Sequence, residues 1–478
     1  MRKNGYFFII LIVLFFTQFL SYESAQIKII GLAFLIFFSF FVFYILKDQF
    51  LFIISIISQC IIFTVDVLGG VTLAPFLIII SYIFFKGQLY IKDRFVRTCL
   101  FILVTTTYLG YIVKNQGGLS DIIQSAVIFT SIILTFIFVQ NFKFTRIQIK
   151  TLLSILTFLS GLLLLTALNQ KYVFIDSTMP LLGAFGGYRS VSSVGLAYEG
   201  RYPSLFADYE LFSEFALLMF IFSFSLFVEK KSVEYFKLGQ IPLLLLILSF
   251  ANILITGTRS GFLLMFVFIF LFFILRLDIF FTKRIFGLII VLILFIPLLF
   301  QFGGLIGFDL IIDRFQEIDS RYFSLNSIVS GEQINREIVY AEGYERISEE
   351  NWVLGYGFGL SSSNDLAWFS KAEVQGRSIR DFHSLYLSIP MIYGWIGSIT
   401  YLMLIIYILF LSFKRYYMTS DSPLSGINFA FSFLFVFFLF NQIKINSLRV
   451  YNYHYLIWIL MGLALAFTNL KLNPDEED

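Results

Sequence analysis

Residues 241–275 read IPLLLLILSFANILI, then Thr256-Gly257-Thr258-Arg259-Ser260-Gly261, then FLLMFVFIFLFFIL. Two apolar runs, each read as a membrane span, meet at a six-residue polar turn holding one permanent cation. An arginine at the centre of a spanning helix costs roughly 2.5–3.5 kcal/mol, and less near an interface. It is normally kept where it faces protein or a bound anion. Thr258 is placed to cap the following helix, and the backbone N–H groups of Ser260 and Gly261 then point outward as an anion site. A guanidinium fork added there suits a phosphate. The plainer reading of Arg259 is a snorkelling side chain that marks the membrane edge.

The rest of the chain fits that opening. Of 478 residues, 59% are hydrophobic and 14% charged, with a mean hydropathy of +0.87, which is the composition of a polytopic membrane protein. The 64 phenylalanines read as a lipid-facing inventory. Cys60 and Cys99 both fall inside apolar runs, so neither a disulfide framework nor a thiolate metal site is expected. The first run follows Arg2 and Lys3 as a signal peptide would, but Ser21-Tyr22-Glu23-Ser24-Ala25 is a poor cleavage site. It is read as an uncleaved anchor.

Apolar runs lie near 6–21, 27–46, 50–66, 71–85, 98–113, 122–140, 151–168, 209–228, 241–256, 261–275, 285–302, 385–411, 427–443 and 454–470. They predict an all-α protein of about fourteen transmembrane helices. The loops at 47–49, 86–97, 141–150, 229–240, 276–284 and 412–426 are short and basic, which places them and both termini in the cytoplasm. Two loops are long, and both fall on the other side. The expected organisation is therefore N-terminal helices over 1–168, a first extracytoplasmic loop over 169–208, and central helices over 209–302. A large extracytoplasmic loop carrying short helices follows over 303–384, and C-terminal helices with a cytoplasmic tail occupy 385–478. Within the large loop, Ile334, Ile338, Ala341, Tyr344 and Ile347 form a stripe at helical spacing. Arg336, Gly343 and Arg346 lie on another side, with Gly343 leaving room between the arginines.

Cation chemistry changes across the membrane. Lysine outnumbers arginine inside. Outside, Arg189, Arg201, Arg259, Arg314, Arg321, Arg336, Arg346, Arg377, Arg380 and Arg449 outnumber the lysines Lys28, Lys114, Lys171, Lys371 and Lys444. A planar bidentate donor suits a diphosphate or carboxylate better than an ammonium does. Most of these arginines are read as partners of loop acids. Arg201, Arg259 and Arg336 are exempted.

Four stretches together resemble the O-antigen ligase/polymerase superfamily. The first is Arg201-Tyr202-Pro203-Ser204-Leu205-Phe206, which lacks the family's usual Pro-Asn pair. The turn Thr256–Gly261 is the strongest match, being close to the family's Gly-[ST]-Arg-Ser. Arg336 followed by Trp352-Val353-Leu354-Gly355-Tyr356-Gly357-Phe358-Gly359 is the third. Phe382-His383-Ser384-Leu385-Tyr386-Leu387 with Tyr393-Gly394-Trp395-Ile396-Gly397 is the fourth. The set covers about residues 195–410. The resemblance implies a GT-C-like membrane glycosyltransferase of the bacterial cytoplasmic (inner) membrane, with its active site facing the periplasm or outside. It would move a glycan from an undecaprenyl diphosphate-linked oligosaccharide to an acceptor sugar, without metal or other cofactor. A chain-length regulator and a flippase are possible partners beside membrane lipid, and nucleic acid is not one.

Chemistry assigns roles in parallel. Arg259, Arg201 and Arg336 would stabilise the charge on a departing diphosphate. His383, at the end of the long loop, would be the proton acceptor for the acceptor hydroxyl. Thr258, Ser260, Arg346, Glu210, Glu214 and Tyr386 are candidate binding residues. Glu210 and Glu214 share one helix face and either neutralise an arginine or supply the base instead. His454 is read as structural. The favoured reading is a repeat-unit polymerase making O-antigen, capsule or exopolysaccharide. A ligase passing O-antigen to lipid A core stands as an alternative, and a lipid-linked saccharide transporter or a non-catalytic scaffold lies further off.

Overall fold

The computed structural model describes residues 49–62, 90–114, 119–172, 202–206, 209–276, 335–349, 352–357, 373–374, 377–378, 382, 384–418 and 422–470, with the isolated positions 33 and 37. The helices are α1 (Gln49–Ile62), α2 (Arg94–Lys114), α3 (Leu119–Gln140), α4 (Arg146–Tyr172), α5 (Tyr209–Val228), the short α6 (Lys230–Tyr235), α7 (Ile241–Ile255) and α8 (Arg259–Leu275). They continue with α9 (Asn335–Glu349), α10 (Leu385–Met418), α11 (Ser425–Asn441) and α12 (Tyr451–Asn469), the last preceded by a 3-10 turn at Ser447–Arg449. The one exception to helix among the described residues is an antiparallel pairing of β1 (Glu373–Val374) with β2 (Arg377–Ser378).

Four of the described helices are long and apolar enough to cross a membrane: α2, α4, α5 and α10. Shorter apolar helices include α7, α8 and α11. The runs expected near 6–21, 27–46, 71–85 and 285–302, and most of the large loop, lie outside the described residues.

Helix α5 is the axis of the bundle. Apart from Glu210 and Glu214 near its start, its sequence, YELFSEFALLMFIFSFSLFV, is apolar on every side, as suits an enclosed helix. Accordingly 94% of its apolar window is buried, against 44% for α2 and α10. Helices α7, α8 and α11 surround it; α10 packs on α11 and α2, and α12 on α3. The outer faces of α2, α8 and α10 keep Phe101, Ile112, Leu263, Phe270, Ile399 and Phe410 exposed, as surfaces against lipid would be.

The phenylalanines are not merely lipid-facing. Phe268 of α8 lies 5.5 Å from Phe224 of α5 and 5.6 Å from both Phe433 and Phe437 of α11, each contact edge-on. Edge-to-face pairs add about 0.5–1.5 kcal/mol beyond area burial, a specific term where lipid offers no hydrophobic drive between helices.

The two ends of the bundle differ chemically. One end gathers the short basic connections. There Arg276 binds Glu229 at 2.5 Å and Tyr416 at 2.7 Å, Lys150 reaches the Lys237 carbonyl, Arg146 lies over the Tyr235 ring, and Tyr407 donates to Asp93. The opposite end collects the start of α5, the 256–261 turn, α9 and the 382–395 and 439–453 stretches. The candidate site lies there.

Candidate functional site

The turn between α7 and α8 is built by its small residues. The Thr256 hydroxyl donates to the Ile253 carbonyl at 2.7 Å, and Gly257 takes φ +61°, a conformation an L side chain rarely adopts. The chain then extends at Thr258 and re-enters helix at Arg259. Thr258 holds the cap position, but its hydroxyl does not cap the helix as expected from sequence. It turns sideways to the Ser213 hydroxyl of α5 and to Thr256 Oγ1 at 3.2 Å. The buried Ser213 is the nearer partner, so the side chain joins helices instead of closing its own. At Gly261 a Cβ would stand 2.1 Å from Ser213 Oγ, so a side chain there would displace the hydroxyl that Thr258 engages. Arg259 is thereby held, partly exposed, in the first turn of α8.

Beside this turn lie two carboxylates of α5. Glu214 is fully buried, and it is met by neutral donors: Asn441 Nδ2 at 2.6 Å, Gln442 Nε2 at 2.9 Å and the Tyr453 hydroxyl at 2.9 Å. Several hydrogen bonds to one carboxylate are what make its burial tolerable. Glu210, also buried, pairs with Lys444 at 3.4 Å, and the same ammonium donates to Ser260 Oγ at 2.9 Å. Ser260, Glu210 and Glu214 therefore belong to one neighbourhood, linked through Lys444 and Gln442.

Gln442 carries that neighbourhood to the next motif. Its side-chain oxygen accepts from Ser447 N, and its backbone carbonyl accepts from Leu385 N at 3.0 Å. Leu385 N also reaches the Ile445 carbonyl at 3.1 Å. The stretch Phe382–Leu385, which carries His383, hangs on the 442–445 turn. Phe382 and Ser384 are buried, whereas His383 lies outside the described residues. The Tyr386 hydroxyl donates to the Leu439 carbonyl at 2.9 Å, joining α10 to α11.

The glycines of the two remaining motif stretches explain each other. Pro390 and Gly394 (φ +71°, ψ 172°) break α10 near its start. The carbonyls of Met391 and Ile392 then accept from Tyr356 N at 2.9 Å and Gly357 N at 2.8 Å, while Trp395 N donates to the Trp352 carbonyl at 2.7 Å. A Cβ on Gly355 would lie 2.3 Å from the Ile392 carbonyl, and one on Gly394 would lie 2.3 Å from Val353 O. Two backbones thus touch where side chains cannot fit. Lys114, at the end of α2, covers this joint, its ammonium 5.3 Å from the Trp352 ring and 5.1 Å from that of Tyr356.

Helix α9 forms where expected, but its packed face is only partly the expected one: Ile347 of the stripe packs against the core. Tyr344 and Ala341 of the apolar stripe are exposed, whereas Gly343 is buried against Phe382 and Leu387. Gly343 makes room for the His383-bearing stretch, not for the arginines. The helix docks on that glycine because a flat spot lets Phe382 approach. Arg346 binds Glu342 at 2.7 Å and lies 5.8 Å from the Phe382 ring, and Trp352 Nε1 donates to its carbonyl. Arg336 sits in the first turn of α9. Arg201 lies outside the described residues, but the turn after it is anchored. Ser204 exchanges two hydrogen bonds with Gln170 and donates to Leu163, and Phe206 packs on Phe212 and Tyr453. Burial, with Tyr172 nearby, raises the Tyr202 phenol above its ordinary pKa and keeps it neutral.

Residues 244–402 match a family model described as O-Antigen ligase. The resemblance to the O-antigen ligase/polymerase superfamily holds. The matched stretch runs from α7 through the Arg259 turn and α9 to the Gly394 break, and it supports a multi-pass membrane enzyme of O-antigen ligase/polymerase type that acts on lipid-linked oligosaccharide in polysaccharide biosynthesis. A comparison with curated proteins gives no match. Of the sequence candidates, the structure brings Thr258, Arg259, Ser260, Glu210 and Glu214 into one group, with Arg346 and Tyr386 in an adjoining one. Sequence reasoning missed Asn441, Gln442 and Tyr453. Gln442-Ile443-Lys444-Ile445-Asn446, a polar break directly after an apolar run, was the available signal. His454 lies buried between Tyr393 and Trp458, accepting from Trp458 Nε1 at 2.9 Å, in keeping with a structural role.

Proposed function

We propose that this protein is a glycosyltransferase with a GT-C-like architecture, which polymerises lipid-linked oligosaccharide repeat units at the extracytoplasmic face of the bacterial cytoplasmic membrane. One observation carries the reading: three separate segments inside the matched stretch, the 256–261 turn, α9 and the 382–385 segment, meet the 442–445 turn at a single end of the bundle, the one opposite the basic connections. The positive-inside rule puts that end outside.

In the proposed reaction the acceptor hydroxyl attacks the anomeric carbon of an undecaprenyl diphosphate-linked glycan. The new C–O bond forms as the bond to the diphosphate oxygen breaks. His383 takes the hydroxyl proton, and Arg259, with Arg201 and Arg336, meets the charge that accumulates on the departing diphosphate. Preorganised guanidinium groups do here what a metal ion does elsewhere.

The description of the matched family favours a second reading, transfer of a finished glycan to a lipid A core. Chain-length analysis separates the two. In Arg259→Ala, Arg336→Ala and His383→Ala, a polymerase defect leaves single repeats on the acceptor, whereas a ligase defect leaves long chains on the carrier lipid. Normal chains in all three variants, at wild-type protein level, would remove the site assignment. A chain-length regulator and a flippase are the partners this reaction calls for.

A further inference from the structure

The turn between α11 and α12 lies beyond the 244–402 match, yet it touches α5, α8, α9 and the start of α10. Gln442 holds Glu214 and Leu385, Ile443 accepts from Tyr340 of α9 at 3.3 Å, and Lys444 bridges α5 and α8. Lys444 is the cation in this set. Its ammonium sits 2.9 Å from Ser260 Oγ, one residue along the chain from Arg259, and 3.4 Å from Glu210 Oε1. Within the ion pair the lysine side chain is 29% exposed and the glutamate 5%. An anion arriving at this end of the bundle therefore meets the ammonium and not its counter-ion. Ser260 accepts from Nζ and keeps its own hydroxyl proton to donate.

We propose that Lys444 is a substrate-binding residue: its ammonium, held by Glu210 and Ser260, contacts the diphosphate of the lipid donor together with Arg259. The inference rests on the reading of the Arg259 turn as the donor site. A fork and a point charge make a complementary pair, because the planar guanidinium fixes two oxygens while a flexible ammonium follows charge as it moves to the leaving group. Glu210 is then a positioning residue. It keeps the ammonium beside Ser260 before the donor arrives, and its buried carboxylate lowers the cost of bringing Lys444 next to a second cation.

The test uses the full chain in lipid nanodiscs with farnesyl diphosphate as probe, and farnesyl monophosphate, inorganic pyrophosphate and farnesol as comparisons. Lys444→Met and the polar Lys444→Gln should each weaken farnesyl diphosphate binding about tenfold or more, the size of one lost charge-assisted contact. Farnesol binding should not change, and Lys444→Arg should keep most of the affinity. A merely structural lysine would weaken diphosphate and farnesol together, which would overturn the proposal. So would wild-type diphosphate affinity in Lys444→Gln while Arg259→Ala binds poorly; that result would leave the donor site standing without Lys444. If Arg259→Ala and both lysine variants all bind like wild type, the donor site itself is misplaced and the inference falls with it. Loss of pyrophosphate binding in parallel with farnesyl diphosphate would show that the headgroup, not the chain, is what Lys444 reads.

Discussion

At the residue scale, the informative contrast is between charges that are buried and those that are partly exposed. Glu214 has no exposed surface, and three neutral donors from the 441–453 region converge on it. Glu214→Ala removes the acceptor and strands those donors in the bundle, an expected loss of about 2–5 kcal/mol. A lowered melting temperature with reduced yield of monodisperse protein would register it, and an unchanged melt would contradict the account. Arg259 should behave differently, since it is partly exposed in the first turn of α8. Arg259→Ala is expected to fold normally and to lose about 100-fold in glycan transfer, the scale of one missing oxyanion donor. Arg259→Lys should recover only part of that, because one ammonium cannot imitate a fork. Full transfer by Arg259→Lys would mean that the side chain merely marks the membrane edge.

At the scale of elements, the break in α10 matters most. Residues 385–411 read as one straight apolar run, although Pro390 and Gly394 both lie inside it. The motif glycines at 355, 357 and 394 were visible in sequence, but their reason was not, since it is the mutual approach of two backbones distant in the chain. Gly394→Ala adds a Cβ where φ is +71° and where Val353 O would stand 2.3 Å away. It should cost about 1–3 kcal/mol and separate the 352–357 stretch from α10. Transfer activity should fall while bundle helicity by circular dichroism stays near wild type; retained activity would show that this joint does not order the site. The positions of the described helices were legible from apolar runs, and the cation-bearing turn from its chemistry. The packed face of α9 was legible only at Ile347, because Gly343, not Ala341 or Tyr344, meets Phe382. The partner set of Glu214 was not legible, since it depends on α11 and α12 returning to α5 from more than 200 residues away.

For the whole molecule, the segregation of basic connections to one end and the candidate site to the other carries the proposed orientation, and orientation decides which lipid-linked substrate such an enzyme can meet. Arg94 and Arg146 begin helices, Arg276 follows the end of one, and Lys150 and Lys237 meet beside them at the same end. Short basic loops stay in the cytoplasm, so in the proposed orientation the end carrying Ser260, Lys444 and Glu345 faces out. The native cysteines Cys60 and Cys99 are buried, which lets single introduced thiols report the sides. Glu345→Cys, at an exposed position of α9, should react in intact cells with a membrane-impermeant maleimide. Lys231→Cys, exposed at the basic end, should react only after the cytoplasmic membrane is opened. The reverse pattern would place the proposed diphosphate site in the cytoplasm, where nucleotide-activated sugars and not assembled lipid-linked repeats are the available donors. That outcome would end the polymerase and ligase readings together, because both require a glycan already carried across the membrane.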